Sequence, residues 1–264
     1  MSITRINTIF LRQFLLIKRS IHRIFGVFYW STLDIMLWGF MTSYLYALNS
    51  ANLNFATVVL GTLILWNFFI RIQHGITISF LEDVWTRNFM NLFSSPLSIS
   101  EYVWGLVLTS VVTSLVSISF MIFLAWLLFF YNIFQFGFML IPFVAVLFLF
   151  GWAVGIFATS VIIRFGPSSE ILAWSIPVLF TPLSGVFYPI AVLPKYLYAL
   201  ASILPSAQVF EGMRSIVLHG FFDKARLFTA FVLALIFFVL SFWFLLKSYQ
   251  RALRNGSFTR FLTE

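Results

Sequence analysis

Runs of apolar residues long enough to cross a bilayer alternate with short polar connectors along this chain. Six such runs occupy roughly 24–48, 56–80, 98–131, 136–163, 170–188 and 226–247. Most reach or exceed the ~20 residues that a spanning helix needs. The pattern predicts an all-α polytopic membrane protein, one domain over 1–264 with six transmembrane helices. Residues 2–22 read differently. Ile3, Ile6, Phe10, Phe14, Ile17 and Ile21 recur at helical spacing, whereas Arg5, Arg12 and Arg19 sit seven apart on another face that Arg23 continues. This predicts an amphipathic helix lying in the membrane interface, its basic groups toward anionic headgroups.

Two connectors are more than turns. Between the second and third runs, Leu81, Trp85, Phe89, Leu92 and Phe93 form an apolar stripe, and Pro96 closes the segment. Glu82, Asp83, Arg87, Asn88 and Asn91 face elsewhere, so segment 81–95 is expected to lie flat at the membrane surface and offer its polar side to a soluble partner. The fifth run contains Pro177 and Pro182, each of which removes a backbone donor and kinks or breaks a helix. After it, residues 188–220 are too apolar for a free loop and too interrupted by Pro189, Pro194 and Pro205 for a span. They predict two short helices dipping in from outside, re-entrant backbone being tolerated where it is buried in protein or faces water. On the second, Glu211 and Arg214 stand three apart and share a face. In the fourth run, Gly151-Trp-Ala-Val-Gly155 is a small-xxx-small signature of close helix packing.

Charge sharpens the topology. Hydrophobic residues make up 61% of the chain and charged residues only 9%, against ~45–50% and ~25% in soluble domains. The net charge of +8 does not point to nucleic acid, because nine of the sixteen Lys and Arg lie at the two ends: Arg5, Arg12, Lys18, Arg19, Arg23, Lys247, Arg251, Arg254 and Arg260. An even number of spans puts both ends on one side, and the positive-inside rule makes it the cytoplasm. Connectors 49–55 and 132–135 carry no charge, as external loops do. The first 23 residues lack the compact apolar core of a cleavable signal. Two charges fall inside runs, Asp34 in the first and Arg71 in the second, each ~13–15 Å from the cytoplasmic end at 1.5 Å per residue. Isolated charges at that depth are costly, so the two are expected to pair.

The chain has no cysteine, hence no disulfide framework and no thiolate site. There is no phosphate-cradling G-x-x-x-x-G-K-[ST], no H-E-x-x-H and no G-x-S-x-G. His22, His74 and His219 are far apart in sequence. A membrane-embedded enzyme therefore lacks a constellation to work with. An ion-coupled secondary transporter or channel is the alternative, but it favours several intramembrane acids and matching halves; only Asp34 and Glu101 qualify as acids.

In order along the chain, Leu33-Asp34-Ile35-Met36-Leu37-Trp38-Gly39, then Leu81 to Asn91 running on into Ser95-Pro96-Leu97, and then Val186-Phe187-Tyr188-Pro189 through Leu193-Pro194 to Phe210-Glu211-Gly212-Met213-Arg214 resemble the membrane subunit of type-2 ATP-binding-cassette (ABC) exporters, the group that exports drugs, nodulation factors and polysaccharides. The resemblance covers essentially the whole chain. It implies a permease of the cell inner membrane, with two membrane subunits and two separate ATPase subunits that carry the ATP and Mg; no cofactor is expected on this chain. It implies that 81–95 is a coupling helix seated on the ATPase, through Glu82, Asp83, Arg87 and Asn88. It also implies that 188–220 forms an external gate, with Tyr188, Pro189, Pro194, Glu211 and Arg214.

Overall fold

The computed structural model describes residues 1–47 and 53–255. Arg260 and most of connector 49–55 lie outside the described residues. Among those described, all regular structure is helical. The elements are α1 (Ile3–Arg19), α2 (Ile21–Ala47), α3 (Leu53–Trp85), α4 (Phe89–Phe93), α5 (Ile99–Phe129), α6 (Leu140–Phe165), α7 (Glu170–Phe180), α8 (Lys195–Ser202), α9 (Pro205–His219) and α10 (Lys224–Arg254). Among the described residues, five helical stretches are long and apolar enough to cross a membrane: Arg23–Tyr44, Val58–Trp85, Ile99–Phe129, Gly137–Phe165 and Lys224–Arg254.

The fifth predicted span is not a spanning helix. α7 has 11 residues, about 16 Å of rise, roughly half of a ~30 Å hydrocarbon core. Pro177 removes a donor within it, and Pro182 follows its last turn. The chain then folds through Leu183 and Ser184, whose N–H groups donate to the Phe180 carbonyl at 3.1 and 2.8 Å. Gly185 follows in the left-handed region, φ +67°. A side chain there would meet Ile190 Cγ2 at 2.9 Å, so conformation and space both select glycine.

Ring contacts give the helix directions. Phe143 meets Phe222, Phe150 meets Phe237 and Phe157 meets Phe244, so α6 and α10 run parallel. Phe68 packs on Phe148, and Gly151 and Gly155 close on Ile72 and Ile76, so α3 runs parallel to both. The two glycines are the small-xxx-small pair: a Cβ at 151 would sit 2.7 Å from Ile72, and α3 is the helix they admit. Because α6 and α10 point the same way, the segment between them returns across the layer, with α7 and the turn after it doing part of what the fifth predicted span would do.

α3 is the most buried long helix, held between α5 and α6. Its upper half joins α6, α9 and α10 in a core of Ile64, Phe69, Phe143, Phe150, Val186 and Phe210. A second core at the other end, here called the base, contains Ile9, Phe80, Phe89, Tyr102, Ile162 and Ala252. The base therefore gathers α1, the end of α3, the start of α5, the end of α6 and the end of α10, and both described ends of the chain lie there.

Candidate functional site

At the base, α1 does not turn its basic face away from the protein. It packs on α5 through Ile9, whose Cβ lies 2.6 Å from where a side chain at Gly105 would begin. Ile3, Leu11, Phe14 and Leu15 stay exposed. Two of its arginines, with Arg23 just beyond it, meet three acids. Arg5 reaches Glu101 at 3.4 Å, Arg23 reaches Glu82 at 2.9 Å, and Arg12 grips Asp83 with both terminal nitrogens, Nη1 at 3.0 Å. Glu101 also accepts the Ser2 N–H at 2.7 Å and caps α5 in a reciprocal capping box with Ser98.

Asp83 is the node of this clasp. It is 2% exposed and accepts further hydrogen bonds from Gln13 Nε2 at 3.1 Å and the Tyr102 hydroxyl at 2.8 Å. The hydrogen bond to the carboxylate raises the pKa of Arg12 above its ordinary value. This corrects the expectation that Asp83 faces a soluble partner. The expected stripe treats 81–95 as one helix, whereas α3 continues to Trp85 and places Asp83 on its inner face and Trp85, 52% exposed, on the outer one. α3 ends in a Schellman turn: Asn88 N–H donates to the Asp83 carbonyl and Arg87 N–H to that of Val84, each at 2.9 Å. Arg87 holds the left-handed position, φ +56°. Trp85, Thr86, Arg87 and Asn91 are exposed and Asn88 is half-buried. Trp85 Nε1 donates to Glu170 Oε2 at 2.8 Å, tying the turn to the start of α7.

Asp34 and Arg71 do not close into an ion pair. Arg71 Nη1 donates to the Gly26 carbonyl at 3.0 Å, while the Asp34 carboxylate faces the Asn67 amide with Arg71 in electrostatic reach. Gly26 precedes Asp34 by eight residues, about 12 Å along α2, so the guanidinium is drawn toward the base and away from the acid.

At the far end, Glu211 joins three elements. Its Oε1 accepts from Arg214 Nη1 at 2.6 Å and from the Ile190 N–H at 3.1 Å, and Arg226 lies 3.7 Å from its Oε2. Arg214 Nη2 donates to the Gly185 carbonyl at 2.8 Å, and burial lowers the Arg214 pKa. Glu211 thus fastens α9 to the turn before α8 and to the start of α10. Tyr188 donates to the Pro182 carbonyl at 2.8 Å, Pro189 starts a one-turn 3-10 helix, and Pro194 precedes α8. α9 is buried, with Phe210 against Trp66 and Gly212 against Phe143, whereas Tyr196, Tyr198 and Leu200 of α8 are exposed.

Sequence reasoning missed Arg12, Gln13, Tyr102 and Asn67 as partners of the acids. Local periodicity carries no signal that residue 12 meets residue 83; the one legible hint is the seven-residue arginine spacing beside a connector with paired acids.

Among the described residues the fold is thus an all-helical bundle with a clasped base and a fastened far end. The family model described as ABC-2 type transporter matches residues 4–218; among curated proteins, no match is found. The chain therefore belongs to the ABC-2 type transporter membrane family, which makes it a multi-pass membrane protein and a transport component rather than a catalytic one.

Proposed function

We propose that this chain is the permease subunit of an ATP-driven exporter of the cell inner membrane, two copies of which enclose the substrate path and ride on two separate ATPase subunits. Association with an ABC ATPase is what the family implies in general. The observation that carries the reading is the construction of the base. An exposed turn, Trp85–Asn88, projects from the end of the most buried helix, and the residues behind it are locked to α1, α5 and α7. A push on that turn moves four helices together. The described ends of the chain, both basic, lie at the same end, which supports a cytoplasmic base under the positive-inside rule. Segment 81–95 then couples to the ATPase through Arg87, Asn88 and Asn91, with Glu82 and Asp83 as the internal anchors. The Glu211–Arg214 cluster and 188–220 form the external gate. ATP-driven closure of the ATPases drives transport only if the two membrane states bind them with different affinity.

Reconstitution tests this. The chain co-purified with its ATPase and placed in liposomes should show ATP-dependent movement of a fluorescent amphiphile, absent with either component alone. Failure to associate with any ATP-binding-cassette ATPase contradicts the reading. Ion-gradient-driven movement without ATP supports a secondary transporter instead.

A further inference from the structure

The partly open face of α3 carries a row of polar residues broken by Ile78. Asn67, Arg71, His74, Ile78 and Glu82 follow at intervals of four, three, four and four residues, which is one helical face. Ile70 and Gly75, half-exposed as well, lie alongside them. All but Asn67 are half-exposed on a helix that is otherwise mostly buried. α2, held against α5, and α7, held against α6, flank this face. Asp34 of α2 stands by Asn67, and Trp174 of α7 meets the His74 ring edge-on at 5.0 Å. One turn beyond Asp34, Trp38 stacks on Phe187 at 4.1 Å. Asn67, Arg71 and His74 thus lie on a strip of α3 flanked by α2 and α7, with the Trp38–Phe187 stack beyond Asp34. Polar side chains at membrane depth face protein or water rather than lipid.

Arg71 is the unbalanced member. One of its terminal nitrogens is used on the Gly26 carbonyl, its Nε is buried without an acceptor, and no carboxylate among the described residues lies within 4.0 Å of it. A guanidinium with unspent donors in a poorly solvated place between helices is matched by a planar or tetrahedral anion that its fork can grip.

We propose that this strip of α3 recognises the anionic head of an amphiphile, a phosphate or carboxylate gripped by Arg71, with the apolar remainder against Trp38 and Phe187. The proposal rests on the permease reading and names its substrate class. Asp34 then tunes the site: its negative charge weakens anion binding and favours release.

The test is binding to the full chain in nanodiscs, without the ATPase, so that failure of the permease reading does not affect it. Four probes share one alkyl tail and carry a phosphate, carboxylate, trimethylammonium or neutral sugar head; intrinsic tryptophan fluorescence reports binding. The phosphate and carboxylate probes should bind at least tenfold more tightly than the other two. Arg71→Gln should abolish that preference and Arg71→Lys should retain part of it. Asp34→Asn should tighten anion binding several-fold, an outcome a misfolded variant does not give. Weaker anion binding in Asp34→Asn, or equal affinity for all four heads, overturns the proposal. Inorganic phosphate and discs with anionic phospholipid provide two further arms. Full competition by either identifies a free-anion or bilayer-lipid site and also overturns it; weak competition by both supports a transported amphiphile.

Discussion

Arg87 occupies a backbone conformation that costs a non-glycine residue about 1–2 kcal/mol, at an exposed turn where glycine would serve the helix end better. Strain of this kind persists where the side chain itself is needed. Arg87→Gly is expected to raise thermal stability by about 1 kcal/mol while lowering ATP-coupled transport; unchanged transport would show that the guanidinium has no role in coupling. Arg12 and Asp83 bear on the same mechanism from inside. Removing one partner of a buried pair costs roughly 3–5 kcal/mol, and because the Arg12 side chain keeps 26% exposure the lower end applies. Arg12→Ala should destabilise the protein by about 3 kcal/mol, read as midpoint loss in detergent, and Arg12→Lys by less, since one ammonium cannot replace a two-nitrogen grip. Equal stability of all three would mean the clasp is not structural. The acids of this site were legible as residues, but their direction was not: the inward turn of Asp83 depends on α3 running to Trp85 and on partners far away along the chain.

Among the elements, the long apolar runs were legible because burial in a bilayer demands about 20 residues whatever their neighbours. The two short helices of 188–220 were legible from their prolines. The fifth run was not, since hydropathy counts residues and not donors, and Pro177 with Pro182 leaves an 11-residue α7. The Glu211–Arg214 pair was readable from its spacing; its bonds to Ile190 and toward Arg226 were not, because they close across a turn and onto another helix. Glu211→Ala frees the Ile190 N–H and leaves Arg214, buried, with only the Gly185 carbonyl. That variant should still assemble with the ATPase but transport several-fold less, as measured by flux per ATP hydrolysed. Full transport would make 188–220 a packing element without a gating role.

For the whole molecule, the parallel course of α3, α6 and α10 sets both described ends and the Trp85–Asn88 turn at one end of the bundle, and α8 with its exposed tyrosines at the level of the other. The central claim is that the first end receives force from an ATPase. The chain contains no cysteine, so single reporters can be introduced on a silent background. The most direct measurement places a photo-crosslinking residue at Arg87 in one variant and at Tyr196 in another, irradiates native membranes and identifies the captured polypeptide. The expected result is an ATP-binding-cassette ATPase captured from position 87, with the yield changing on ATP addition, and none from position 196. Capture of that ATPase from 196 and not from 87 would contradict both the coupling site and the orientation.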